Sequence, residues 1–285
     1  MAMANAHEGG ASRRSRLPFL TRIGVVIVGS LVGVALFGPL FTPHDPYQFS
    51  VNMNVAPDAR HWLGTDDQGH DVLSRLIAGA RLSLMFGAGA ALIALGIGAV
   101  LSLVALSLGR IWESTVFSMF DLIRALPDIL FALAFVAAFE PGALSVMVAL
   151  GVSFSPMFAM ITRATWRQQM ARPYVAAAKV LGASRLRVTT VHVLPNILGA
   201  LVTQFAIILP RCIVLESVMS FLGLGVSPET PTWGRMIANA TRYTEAAPHA
   251  VLAPILALSV ATFGMAIVGN ALRRRFDPDR RRIAG

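Results

Sequence analysis

Long runs without a charged residue divide this chain, and nearly all of its arginine falls between or beyond them. Residues 82–109, 141–162, 188–210 and 246–272 contain no Asp, Glu, Lys or Arg. Each reaches the roughly 20 residues that a helix needs to cross about 30 Å of hydrocarbon. A fifth stretch, Ile23–Phe41, follows a cluster of arginines. A sixth, Ser114–Phe139, is interrupted by Asp121, Arg124 and Asp128. The pattern predicts an all-α integral membrane protein with six transmembrane helices, one for each stretch.

Charge then orients the bundle. With both termini cytoplasmic, the inner pieces are residues 1–22, the turn near Arg110, the segment 163–187 and the tail from Arg273. They carry 17 of the 24 basic residues but only four acids, Glu8, Glu113, Asp277 and Asp279. Such a bias follows the positive-inside rule. Five crossings would put either 163–187 or the arginine tail on the wrong side, so six is the better count. Residues 1–18 read as a disordered N-terminus, 19–279 as one six-helix domain, and 280–285 as a basic tail. The extramembrane pieces are an outer loop at 42–81, an inner segment at 163–187 and an outer segment at 223–247.

The same placement accounts for the formal charge of +9. The runs Arg273–Arg275 and Arg280–Arg282 directly follow a span, where basic side chains stop transfer and meet anionic lipid head groups. Nucleic-acid binding is therefore not expected. The apolar run after Arg13, Arg14 and Arg16 is too long for a signal peptide and reads as an uncleaved first helix. Cys212, the single cysteine, lies in an apolar stretch and excludes an internal disulfide.

Candidate chemistry is sparse. Asp66 and His70 stand one helical turn apart, and with Asp67 and Asp71 could hold a metal. Gly64 and Gly69 point instead to a turn, with Thr65 and Asp66 as caps for a helix starting near Val72. No metal site is expected, and His44, His61, His192 and His249 have no ligand spacing. Within the spans, Asp121, Arg124 and Asp128 fall at i, i+3 and i+7 on one helix face. They fit either a pathway lining or, preferably, a self-neutralising seam against a neighbouring helix. Arg211 and Glu216 do not share a face well, so each is expected to find a partner elsewhere. Pro210 can bend the helix that carries them.

The inner segment is the most specific feature. From Tyr174 it reads as a short alanine-rich helix, with Gly182 suited to the left-handed position that ends it. Ser184 can cap a second helix, and Pro195-Asn196 marks where that helix ends or kinks. The nearly side-chain-free ridge Ala176–Ala178 can lie deep in another protein's groove, where Lys179, Arg185 and Arg187 can meet acids. A plain membrane loop carrying a surface helix is the other reading of the same residues.

This segment resembles the cytoplasmic coupling motif of bacterial ABC-importer permeases, Glu-Ala-Ala-x3-Gly-x9-Ile-x-Leu-Pro. Ala177, Ala178, Gly182, Leu194 and Pro195 fall on its positions, while Ala176 replaces the glutamate and His192 the isoleucine. The stretch His61–Arg75 is similar to the outer-loop signature of the C-type dipeptide/oligopeptide permeases. Ile213–Gly225 with Pro231–Gly234 is similar to their fifth-helix segment. His70, Asn270 and Arg274 depart from the family's usual residues. The resemblance spans about Phe19 to Asp279.

It implies a type I ABC-importer permease bundle in a bacterial plasma membrane, moving di- or oligopeptides. Nickel, glutathione or another small solute is the alternative cargo within the family, and a self-sufficient secondary carrier is a more distant reading. The implied partners are a homologous B-type permease, two ABC ATPase subunits, an extracytoplasmic peptide-binding protein and membrane lipids. ATP and magnesium would be bound by the ATPases. The chain has no phosphate loop, its only lysine is Lys179, and no cofactor or catalytic set is expected. The residues implied in ATPase coupling are Tyr174, Ala176, Ala177, Ala178, Lys179, Gly182, Arg185, Leu194 and Pro195.

Overall fold

A computed structural model of the protein describes residues 18–276. The expectations for the disordered N-terminus and the basic tail at 280–285 lie outside the described residues, apart from Pro18. Among the described residues there is no β-strand, only an isolated bridge between Thr65 and Asp71.

Among the described residues, five helices are long and apolar enough to span a membrane. They are α1 (Phe19–Phe37), α2 (Val72–Leu108), α5 (Ala143–Met170), α7 (Arg185–Phe221) and α9 (Pro248–Phe276). The sixth stretch is not one helix, which corrects the expectation for 114–139. It forms α3 (Arg110–Arg124) and α4 (Asp128–Ala138), separated at 125–127. Pro127 is the cause: it has no N–H to donate and disfavours helical geometry at Leu126. Two short helices complete the set, α6 (Pro173–Val180) inside and α8 (Trp233–Ala240) outside.

The broken pair still traverses the bundle. Along antiparallel α5, Glu113 meets Arg163 and Arg167, Ser153 Oγ donates to Asp128 Oδ1 at 3.3 Å, and Ser145 Oγ donates to the Glu140 carbonyl. At about 1.5 Å per residue, those 28 residues of α5 cover roughly 42 Å. The chain therefore passes from one end of the bundle to the other between Arg110 and Gly142.

Helix α5 is the axis of the core. Its Leu150, Phe154 and Phe158 are fully enclosed with Ala90 and Ala94 of α2 and Ile197 and Ile208 of α7. Lipid tails are as apolar as these side chains, so close fit rather than the hydrophobic effect holds such helices together. Between α1 and α9 the fit is reciprocal. A Cβ on Gly24 would strike Ile267, and one on Gly264 would strike Ile27. This antiparallel contact brings Arg22 and Arg273–Arg275 to the same end. The outer end is tied by Trp233, whose Nε1 donates to the Leu76 carbonyl at 3.1 Å.

Candidate functional site

The inner end gathers Arg110, the 163–187 segment and, through α9, Arg273–Arg275. Pro173 opens α6 at its first position, where a missing N–H costs nothing. Val175 and Ala178, three residues apart, turn inward and join the core with Val188 and Val193. Ala176 and Ala177 face outward with Val180 and Leu181, which are 88% and 87% exposed. An apolar tip this bare has no cover among the described residues.

Gly182 ends the helix at φ +82°. Its N–H donates to the Lys179 carbonyl and that of Ala183 to the Ala178 carbonyl, both at 3.0 Å, which closes a Schellman cap. A Cβ at Gly182 would meet nothing within 4 Å, so backbone sign, not crowding, demands glycine there. Ser184 Oγ then accepts from the Arg187 N–H at 3.3 Å and starts α7. Pro195 does not end that helix, contrary to the first option read from sequence. Wider π-type turns over Val188–Val193 precede it, and they admit a residue that cannot donate. Asn196 Nδ2 donates to the His192 carbonyl at 2.7 Å. Leu194 packs against the core and Pro195 is exposed.

Polar contacts tie α6 and the start of α7 to the other long helices. Tyr174 Oη donates to Gln169 Oε1 of α5 at 2.7 Å and lies 3.5 Å from Asn196 Nδ2 of α7. Thr189 Oγ1 receives Ser107 Oγ of α2 at 3.1 Å and Trp166 Nε1 of α5 at 3.4 Å. Tyr174 thus ties α6 to α5 and α7, and Thr189 ties the start of α7 to α2 and α5.

Beside α6 lies a basic cavity of about 630 Å³, lined by Arg110, Glu113, Arg163, Arg167, Lys179 and Arg185 among others. Glu113 Oε1 accepts from Arg163 Nη2 at 2.7 Å and from Arg167 Nη2 at 2.6 Å. Arg163 also stands 4.3 Å above the Phe117 ring. Arg110, Lys179 and Arg185 make no ion pair among the described residues.

The interior charges are sorted differently from their sequence pattern. Asp121 and Arg124 remain 3.9 Å apart but are both exposed, and Asp128 opens a separate helix. The three do not form one helical face. Asp128 instead lines an open groove of about 750 Å³ together with Arg211, Pro210 and residues of α9. A cation at this depth is costly in hydrocarbon, so the groove must face water or protein rather than lipid. Glu216 is buried, with Oε1 accepting from Ser220 Oγ at 2.7 Å and Oε2 without a hydrogen-bond partner among the described residues.

At the outer face, Asp71 rather than Thr65 or Asp66 caps α2, by accepting from the Ser74 N–H. Asp66 instead closes a turn and pairs with His70, and Arg75 approaches both. Burial raises the Asp66 carboxyl, but hydrogen bonding and charge from His70, with Arg75 behind it, hold it below the ordinary value. Asp67 moves the other way, raised by burial and by Asp66. The structure also assembles His44, His61 and Asp71, a grouping that spacing alone did not reveal.

Residues 94–282 match the family of binding-protein-dependent transport system inner membrane components. The chain is 35% identical over 262 residues to the di/tripeptide transport system permease protein DppC of Pseudomonas aeruginosa, spanning 90% of this chain and 86% of that protein. It is 32% identical over 260 residues to the dipeptide transport system permease protein DppC of Alkalihalophilus pseudofirmus, spanning 91% and 86%. Against the glutathione transport system permease protein GsiD of Shigella flexneri it is 34% identical over 268 residues, spanning 93% and 88%.

Proposed function

The chain belongs to the family of binding-protein-dependent transport system inner membrane components, and on that premise we propose that its cargo is short peptides. It is a multi-pass permease of the bacterial inner membrane and part of an ATP-driven importer. ATP hydrolysis belongs to separate ATPase subunits. The named cargoes of its relatives, di- and tripeptides, dipeptides and glutathione, share a free amino group and carboxylate. Asp128 and Arg211 in one groove offer a charge of each sign to such ends.

The observation that carries the mechanism is the bare tip at Val180 and Leu181, on a helix that Tyr174 bonds to α5 and α7. In this reading the tip seats in a groove of an ABC ATPase. Alanines at 176–178 permit close approach, and Lys179 and Arg185 pair with acids beside it. Closure of the ATPase pair on ATP pulls α6. The Tyr174 and Thr189 contacts pass that motion to the spanning helices, and access switches from one side to the other. A homologous B-type permease covers the Asp128–Arg211 groove, and an extracytoplasmic peptide-binding protein delivers cargo at the outer face.

Reconstitution in proteoliposomes tests this. Uptake of a labelled dipeptide is expected only when the second permease, the ATPases, ATP and the binding protein are all present. Uptake by this chain alone would make it a solitary carrier.

A further inference from the structure

We propose that His44, His61 and Asp71 form a site for a divalent transition cation, zinc being the natural probe, on the outer face of the permease. The inference concerns the outer loop only and holds whatever the cargo proves to be.

The three come from separate pieces of chain: the segment after α1, the outer loop, and the residue that starts α2. Their ligand atoms all lie within 4.8 Å of one another. Asp71 Oδ1 is 3.0 Å from His61 Nδ1 and 3.8 Å from His44 Nδ1. A tetrahedral zinc with bonds of about 2.1 Å separates its ligands by roughly 3.4 Å, so both distances need only small side-chain adjustments. The two imidazoles lie tilted by 31° with centroids 4.7 Å apart.

What distinguishes the trio from chance proximity is the way each member is held. Asp71 Oδ2 accepts from the Ser74 N–H at 2.8 Å and from Ser74 Oγ at 2.7 Å. That fixes the carboxylate while leaving Oδ1 turned to the histidines. The same Ser74 Oγ accepts from the His44 N–H at 3.1 Å. One fully buried hydroxyl therefore positions both the anion and the backbone of His44. His61 is set by its loop, its carbonyl accepting from the Asp58 and Gly64 N–H groups. Outer contacts of this kind are what orient metal ligands. Capping α2 requires only Asp71 and Ser74, so it does not account for two histidines converging on the remaining oxygen.

Two imidazoles and one carboxylate suit zinc or its neighbours in the transition series and do not suit calcium or magnesium, which take oxygen ligands. Asp71 is buried, while the His44 side chain is 41% exposed. The site is therefore open on one side, leaving a fourth position to water or an incoming group. A bound ion would replace the contact between His61 Nδ1 and Asp71 Oδ1 and clip the chain after α1 to the start of α2.

The test uses the assembled transporter, purified without a histidine tag, stripped with chelator and placed in nanodiscs. Cobalt(II) titration followed by visible absorption, with zinc competition, reads the site directly. One equivalent per permease with tetrahedral or five-coordinate bands is expected. His44→Ala, a change at an exposed side chain, should weaken binding by about tenfold or more, and His61→Ala likewise, with subunit assembly retained. The proposal is overturned if the wild type takes up no stoichiometric cobalt or zinc. It is equally overturned if His44→Ala binds as tightly as the wild type, since the ion would then sit elsewhere, such as at Asp66 and His70.

Discussion

Tyr174 Oη donates a 2.7 Å hydrogen bond to Gln169 Oε1, so the inner helix α6 is bonded to the end of α5 and not merely packed against it. Removing that hydroxyl should loosen the connection while leaving the exposed tip unchanged. Tyr174→Phe is expected to cost about 1 kcal/mol locally. ATPase subunits should still bind, but cargo moved per ATP hydrolysed should fall several-fold. Parallel uptake and phosphate-release assays on the reconstituted complex measure that ratio.

Among the described residues that line the inner cavity, Glu113 is the one acid beside five cations. Glu113→Gln would leave Arg163 and Arg167 facing each other without a shared anion. Both arginines are partly solvated, at 34% and 58% exposure, so the loss should be about 1 kcal/mol rather than that of a sealed pair. A small drop in thermal stability, larger at low salt, is expected by fluorescence-detected melting in detergent.

The α1–α9 contact should be sensitive where the two helices touch and indifferent where α1 faces away. Gly264→Leu would drive a side chain into Ile27, whereas a Cβ at Gly33 meets nothing within 4 Å. Gly264→Leu should reduce the yield of folded permease severely, and Gly33→Leu should leave it near the wild-type level. Monodisperse yield after mild solubilisation compares them.

Acid should weaken the outer loop through Asp66. Its folded carboxyl titrates below the ordinary value because His70 and Arg75 outweigh burial. The stability it supplies is therefore complete above the unfolded value of about 3.9 and disappears as pH falls through the lower folded value. Asp67, raised by burial and by Asp66, acts in the opposite sense and offsets part of the loss. Asp66→Asn should remove the Asp66 contribution at neutral pH and flatten the acid dependence, as read by limited proteolysis of the 42–81 loop.

The features legible in the sequence were those set by local chemistry. Uncharged runs marked the spans, Gly182 and Ser184 marked the two ends of the inner turn, and arginine placement marked the inner end. The break at Pro127 was also legible, since proline after Leu126 within an apolar run argues against a continuous helix. The turns before Pro195 carry no comparable signal, because widening of a helix is settled by its packing. The groupings of Asp128 with Arg211, and of His44 and His61 with Asp71, depend on how helices rotate and how a loop folds back. Spacing along the chain does not contain that information.

The most direct test of the coupling account is a single substitution at the α6 tip. Ala177 is exposed, so Ala177→Trp should leave the permease folded but keep α6 out of a close-fitting groove. Mild-detergent purification followed by mass spectrometry of bound subunits reads the effect. The account predicts that the wild type retains its ATPases and a second permease, and that Ala177→Trp retains the permease but loses the ATPases. ATPases held equally well by both forms would contradict docking through α6.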